Sequence, residues 1–168
     1  MFLMLKIRSN DLINIPFKPN LQFVSFNITN MYSNVPMDDL VNIIEALRKN
    51  HGINDKLKYE LINISNTIIK QNYFQFLNTF YLQEKGLAIG SPTSTIFSEI
   101  YLEYIENTAI YDILRHNNIT GYFQYVDDIL IVYKNTTKNI IDVFSSFNEV
   151  MPTLKFTMEK EVDNKLTF

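Results

Sequence analysis

Apolar and polar positions follow two rhythms along this chain. Leu21-Gln-Phe-Val-Ser-Phe-Asn-Ile28 is a β-branched and aromatic run of strand type. Beyond Pro36, the positions Leu40, Ile43, Ile44 and Leu47 keep helical spacing to about Asn50, where Gly52 breaks the pattern. Asp38 and Asp39 fall in that helix's first turn, where carboxylates favour the positive end of the dipole. A second helix is predicted from Asp55 to Gln71, with Leu57, Leu61, Ile64, Ile68 and Ile69 as its buried stripe. Tyr73-Phe-Gln-Phe76 and Phe80-Tyr-Leu-Gln83, on either side of Asn78, read as an aromatic hairpin.

The second half continues in the same manner. Gly86-Leu-Ala-Ile-Gly-Ser-Pro92 holds two of the four glycines, and ends in an N-cap serine and a proline suited to the first helical position. The helix starting there is carried by Ile96, Ile100, Tyr104 and residues 109–114 to about His116. Tyr122 to Val126 and Ile129 to Tyr133 are strands joined by an acidic turn, Asp127-Asp128. A helix from about Thr137 to Val150 follows, with Ile140, Ile141, Val143, Phe144 and Phe147 apolar. Leu154 to Met158 is a strand, and Asp163-Asn164 turns into a last strand that stops at Phe168. The order predicts an α+β fold, a layer of helices on an antiparallel sheet.

Composition narrows the function classes. At 168 residues, the chain is long enough for one domain or a portion of a larger one. With 46% hydrophobic residues and 14% aromatic, it is no disordered tail. The absence of cysteine excludes disulfides, zinc-thiolate sites and a thiol nucleophile. Only His51 and His116 could offer imidazole to a metal. A net charge of -3 argues against a self-sufficient nucleic-acid binder. The apolar start, Met1 to Leu5, is followed by Lys6 and Arg8, the reverse of a signal peptide's order. No apolar run approaches the roughly 18 residues that span a bilayer. The expectation is a soluble, intracellular chain without a membrane partner, and its four Asn-x-Ser/Thr sequons, at Asn27, Asn63, Asn118 and Asn135, read as products of an Asn-rich composition.

Three segments could carry chemistry. In Tyr125-Val126-Asp127-Asp128, adjacent carboxylates repel at a tight turn, and become favourable where a divalent cation sits over them. Taken alone, so short a motif is more simply a solvated acidic turn. Phe26-Asn27-Ile28-Thr29-Asn30-Met31-Tyr32 ends the first strand, and by itself is a strand leaving the sheet into an Asn-rich turn. Gly86 to Pro92 could bring backbone close to a ligand beside a helix N-terminus, or be a capped hairpin exit.

In order and spacing the three segments resemble the palm of a reverse transcriptase, most closely that of Penelope-like retroelements. That family's Phe-Asp-Val-x-x-Leu-Tyr-Thr-Asn-Ile-Pro block is similar to Phe26-Asn-Ile-Thr-Asn-Met-Tyr-Ser-Asn-Val-Pro36. Its aromatic hairpin and Gly-x-Ala-Met-Gly-Ser-Pro-x-Ser resemble residues 73–83 and Gly86-Leu-Ala-Ile-Gly-Ser-Pro-Thr-Ser94. Its Tyr-Val-Asp-Asp matches Tyr125 to Asp128, and its Lys-Phe-Thr-x-Glu looks like Lys155-Phe-Thr-Met-Glu159. The resemblance covers roughly residues 12 to 168.

The resemblance implies a right-hand polymerase palm, a ferredoxin-like antiparallel sheet with helices on one face and partial fingers. It implies an RNA-directed DNA polymerase that uses two Mg²⁺ ions, or Mn²⁺, on a template-primer of nucleic acid and a dNTP, and a nuclear location. Asp127 would bridge both ions, Asp128 would assist, and the Ile28 carbonyl would add an oxygen. Tyr32 would lie under the sugar and exclude a ribose 2′-hydroxyl, while Gly90, Ser91 and Pro92 would pack against the templating pair. Lys155 is more simply a surface lysine than a triphosphate contact. Asn27 departs from the pattern: the family has a metal-bridging aspartate there, so chemistry is expected to be impaired. Asp38 and Asp39, beyond Pro36, are better explained as first-turn helix residues than as substitutes. The segment 1–168 is expected to be a palm lacking most of its fingers, its thumb and the endonuclease domain, which would account for the missing basic surface. Two alternatives stand beside this: a non-enzymatic remnant that binds metal or nucleic acid without turnover, and, more distantly, a nucleotide cyclase.

Overall fold

The structure is a computed structural model that describes residues 20–47, 54–134, 140–162 and 165–166, together with the backbone of 3–6. It divides into two compact units, Met1–Thr29 with Glu106–Phe168, and Asn30–Ile105.

The first unit is built on a five-stranded sheet in the order β1-β5-β6-β2-β7. Its strands are β1 (Leu3–Lys6), β2 (Leu21–Thr29), β5 (Gly121–Tyr125), β6 (Asp128–Lys134) and β7 (Lys155–Lys160). All neighbours are antiparallel except β1, which runs parallel to β5 along one edge. That edge strand is a departure from expectation: Leu3 to Lys6, too short and too near the chain start to carry a period, gains its identity from pairing with Gly121 to Gln124. The central strand β2 pairs with β6 on one side and β7 on the other, so its backbone is held from both flanks.

Side chains alternate across the sheet. Phe26 and Ile28 are buried on one face, where α6 (Ile140–Val150) presents Val143 and Phe147. Phe26 meets Phe144 and Phe147 edge-on, each at 5.3 Å, and Phe147 meets Phe156 of β7 at 5.5 Å. The opposite face carries a smaller cluster of Phe123, Leu130 and Val132, with Leu21, Phe23 and Leu166 against it. The expected start of α6 at Thr137 lies outside the described residues, as do Gly52, the turn Asp163-Asn164 and the end of the last strand at Phe168. Of that last strand, the described residues keep one isolated bridge, Val162 to Lys165.

The second unit contains α1 (Met31–Asn34), α2 (Met37–Leu47), α3 (Asp55–Lys70), the hairpin β3 (Tyr73–Phe76) and β4 (Thr79–Leu82), and α4 (Pro92–Ile105). Asn54 starts α3 by accepting the Lys56 N–H at 2.9 Å, an N-cap bond. Leu77 and Asn78 both take positive φ, 49° and 59°, the backbone of a type I′ hairpin turn. In α2 the pattern holds in part: Leu40 and Ile43 are buried and Ile44 half-buried, while Leu47 at the end of the helix is exposed.

Elsewhere in this unit the buried faces differ from the pattern. In α3 the inward residues are Ile62 and Ile69, whereas Leu57, Leu61, Ile64 and Ile68 are exposed. Helical spacing says which residues share a stripe, and α3 has two apolar stripes, of which the weaker one faces in. In α4 the buried residues are Ser94, Phe97, Ser98, Tyr101 and Leu102, not Ile96 and Tyr104. Two serines were hidden from the hydrophobic pattern by their hydroxyls, yet they are small, and both hydroxyls are satisfied. Ser94 Oγ donates to the Ala88 carbonyl at 2.7 Å and Ser98 Oγ to the Thr95 carbonyl at 2.9 Å.

The long helix expected from Pro92 to His116 is interrupted. A π-helical turn, Glu106–Ile110, precedes α5 (Tyr111–His116). Glu106, Ile110 and Leu114 are all buried at a spacing of four. A regular α-helix would rotate such a series by about 40° per step. The wider turn absorbs that drift and keeps the three on one side.

Candidate functional site: the acidic hairpin and the strand beside it

The β5–β6 hairpin closes in two residues, Val126 and Asp127, since Tyr125 pairs directly with Asp128. Asp128 is therefore the first residue of β6, and only Asp127 of the two acids lies in the turn. Val126 has φ 55°, while Asp127 does not share a positive φ, the pattern of a II′-type hairpin turn in which glycine is the usual first residue. A β-branched residue there is a conformational outlier, of the kind that persists only when its surroundings impose it.

The register of β2 against β6 sets the site. Asn27 stands opposite Asp128, so both side chains leave the sheet on the same face. Asn27 Nδ2 donates to Asp128 Oδ1 at 2.6 Å. One step further, the Ile28 N–H donates to the Asp127 carbonyl at 2.9 Å, tying the turn to β2 through backbone. Asn27, Asp127 and Asp128 are all half-buried. The sequence brought Asn27 together with Asp127; the side chain that Asn27 touches is that of Asp128, and Asp127 reaches β2 through its carbonyl. On the other flank, Thr157 Oγ1 donates to the Asn27 carbonyl at 3.4 Å. Lys155 pairs with Thr29 in the ladder and is exposed.

The donors gathered here are two carboxylates, an amide and backbone carbonyls, hard oxygens of the type Mg²⁺ takes. Among the described residues no three His, Cys, Asp or Glu side chains come together as a metal cage. Asp127 and Asp128 would supply the charged oxygens for divalent metal, whereas position 27 offers an amide whose N–H₂ end is turned to the Asp128 carboxylate.

Beneath the hairpin, on the face of α6, lies a polar group that sequence reading did not single out. Tyr122 and Gln124 of β5 and Glu106 of the π turn are all buried. Tyr122 OH donates to Glu106 Oε1 at 2.9 Å and lies 3.5 Å from Gln124 Oε1. Gln124 Nε2 donates to the Val126 carbonyl at 3.0 Å. Burial, then the charge and hydrogen bond of Glu106, push the Tyr122 hydroxyl well above the ordinary tyrosine value, so it remains a protonated donor. A glutamate next to a helical break and a tyrosine inside a strand carry no joint signal in sequence; only the fold brings them together.

The remaining expected site residues belong to the second unit. Tyr32 sits in α1, and its carbonyl accepts the Leu87 N–H at 2.7 Å. Its hydroxyl lies 3.5 Å from Thr95 Oγ1 near the start of α4. Gly90 takes φ 89° in open space, Ser91 Oγ lies 2.9 Å from Thr93 Oγ1, and Pro92 opens α4 as its first residue. Tyr32 and the Gly86–Pro92 loop are thus joined within this unit, as Asn27, Ile28, Asp127 and Asp128 are within the other.

Gly86 fixes that loop. It has φ 69°, and a Cβ on it would run into the Ser33 backbone. Gly86→Ala therefore combines a left-handed backbone penalty with a clash against main chain that has no rotamer to yield. A loss of about 2–5 kcal/mol is expected, read as a lowered denaturant midpoint; an unchanged midpoint would mean the loop does not pack on Ser33.

Comparison with known proteins places this geometry. A family model described as reverse transcriptase (RNA-dependent DNA polymerase) matches residues 9–161. A telomerase reverse transcriptase from Euplotes aediculatus is 27% identical over 126 residues, covering 70% of this chain and 12% of the relative. The chain thus spans about an eighth of that relative's length. Among solved structures, apo telomerase from Candida tropicalis superposes with a TM-score of 0.64 at 16% identity, over 85% of this chain and 28% of that one. Telomerase from Candida albicans in complex with a fragment of telomeric RNA superposes with a TM-score of 0.59 at 13% identity, over 86% and 28%. These likenesses establish the palm-type fold.

Proposed function

The chain belongs to the reverse transcriptase family, and on that premise we propose that it serves as the palm of an RNA-directed DNA polymerase from a Penelope-like retroelement, with its chemistry impaired at Asn27. The observation that carries this reading is the acidic hairpin Asp127-Asp128 laid beside position 27 of β2. The family acts on a nucleic-acid template. The retroelement origin rests on the ordered blocks at Phe26–Pro36, Gly86–Ser94, Tyr125–Asp128 and Lys155–Glu159. It is supported by those motifs alone, since the matched relatives are telomerases. Nuclear residence goes with the same reading.

The chemistry that a pair of Mg²⁺ ions would supply when bound is activation of the primer 3′-oxygen and charge neutralisation at the leaving pyrophosphate. Asp127 and Asp128 would hold them, with the Ile28 carbonyl as a further oxygen. Phosphoryl transfer needs placement and charge neutralisation rather than a covalent partner. Tyr32 would lie against the dNTP sugar and reject a 2′-hydroxyl. Gly90, Ser91 and Pro92 would form the turn that backs the templating pair.

Primer extension by the complete protein, with Mg²⁺ or Mn²⁺, tests the reading. Residual synthesis that disappears in Asp127→Ala is the expected result; synthesis that survives Asp127→Ala would refute the site. A second reading is favoured by one contact. Because the Asn27 amide already satisfies Asp128 without a cation, the module could persist as a folded remnant that binds nucleic acid without turnover. Absence of extension in both the native chain and Asn27→Asp, with template binding retained, is the outcome that reading predicts.

A further inference from the structure

We propose that Asn72 and Gln83, the pair at the base of the β3–β4 hairpin, are positioning residues for Tyr32, and the sugar contact they would tune rests on the polymerase reading above. The strands of that hairpin are exposed along their whole length. Its base is not: Asn72 and Gln83 are half-buried, and Gly86 and Leu87 are buried. The Gln83 N–H donates to the Asn72 carbonyl at 2.7 Å, one rung below the Tyr73–Leu82 pair, so both amide side chains leave the same face of the hairpin.

Those two side chains hold three successive peptide groups. Gln83 Nε2 donates to the Lys85 carbonyl at 2.8 Å and to the Leu87 carbonyl at 3.1 Å. Asn72 Nδ2 donates to the carbonyl between them, that of Gly86, at 3.3 Å. A primary amide carries two N–H groups, so Gln83 can make both of its bonds at once. Turned the other way, it would set its oxygen against two carbonyl oxygens. Gly86, at φ 69°, supplies the bend that brings consecutive carbonyls to one side.

The middle peptide carries the consequence. Its carbonyl belongs to Gly86 and its N–H to Leu87, and in a trans peptide the two point opposite ways. Asn72 takes the carbonyl end, while the N–H end donates to the Tyr32 carbonyl at 2.7 Å. Asn72 therefore reaches the Tyr32 main chain through one rigid plane, whose two hydrogen bonds polarise each other. The helix that carries Tyr32, α1, has four residues and starts on Asn30 with no side-chain cap bond. So short a helix does not hold itself. It is seated from outside, by this bond and by the Ser33 backbone closing on Gly86. Gln83 fixes the peptides on either side of that seat.

Amide hydrogen exchange on the complete protein reads this clamp without turnover. The Leu87 N–H reports the bond to Tyr32, and the Leu40 N–H, bonded to the Pro36 carbonyl in α2, reports the rest of the unit. Asn72→Leu and Gln83→Met should each speed exchange at Leu87 about tenfold, the scale of one lost hydrogen bond, with Leu40 unchanged. Gln83→Glu keeps size and shape but, once ionised, has no donor, and should match Gln83→Met; a packing role would spare it. The two sites are substituted separately, so a variant that fails to fold leaves the other decisive. The sugar readout takes Asn27→Asp as parent. Adding Asn72→Leu should raise ribonucleotide against deoxyribonucleotide incorporation, as a ratio of kcat/KM, about tenfold, whereas lost stability alone lowers both alike. Equal acceleration at Leu87 and Leu40, native protection in Gln83→Glu, or an unchanged ratio would overturn the proposal. Absence of any extension, with Leu87 exchange altered as stated, would instead sink the polymerase reading and leave the clamp standing.

Discussion

Replacing Asn27 by aspartate is expected to raise primer extension by the complete protein about 100-fold or more. Loss of a group that merely supports a metal ligand costs about 10–100-fold, and position 27 would be a ligand itself. The 2.6 Å contact shows why the present residue is self-sufficient: its amide donates to Asp128 and needs nothing else. In Asn27→Asp that attraction becomes repulsion between carboxylates. Two unit charges about 4 Å apart interact by roughly 4 kcal/mol at an effective dielectric of about 20, and partial exposure of both residues reduces this. The variant should therefore melt below the native chain in EDTA and recover with Mg²⁺, while the native chain responds less. Both arms matter. If Asn27→Asp extends primers no better than the native protein, position 27 does not limit the chemistry; if its melting ignores Mg²⁺, the three positions do not share an ion.

The second large effect is on stability. Phe147→Ala should cost about 3–5 kcal/mol, the range for truncating a fully buried aromatic. Phe147 is completely buried, and its ring meets both Phe26 of β2 and Phe156 of β7 edge-on. The substitution therefore opens a cavity under β2, which carries Asn27, and its neighbour β7. For a domain of ordinary stability this is a large share of the total. Ile141→Ala, one turn and a half away on the exposed side of α6 at 45% accessibility, should change stability by no more than about 0.5 kcal/mol. Urea unfolding of the two variants in parallel gives the comparison, and similar costs would mean that α6 packs by another face.

The contrast between those two residues also shows what a linear pattern can carry. In α6 the apolar spacing is strong enough that Ile140, Val143 and Phe147 are found inside, as expected. The strands were legible for the same reason: β2, β5 and β6 are near-continuous apolar runs, and the Gly86–Pro92 loop is punctuated by glycine and proline. Reading failed where burial depends on size rather than polarity, as at Ser94 and Ser98, or where two apolar stripes compete, as in α3. It also failed where identity comes from pairing, as in β1. At the site, the motif blocks were visible but their register was not. Whether Asn27 faces Asp127 or Asp128 depends on a two-residue turn, and a shift of one residue exchanges the faces of the sheet. The buried Glu106–Tyr122 hydrogen bond needs a helical break and a strand position to coincide in space, and no local spacing encodes that.

The two-sided pairing of β2 has a genetic consequence. Its ladder to β6 and β7 uses main-chain groups on both edges, so the strand does not depend on which small polar side chain stands at position 27. An acid can be lost there without loss of the fold, and mutation can leave the scaffold intact while silencing it. Asparagine and aspartate codons differ by one base. On the reading proposed above, a silent copy and a competent one are a single transition apart, and recombination with an intact sister copy could restore the second from the first.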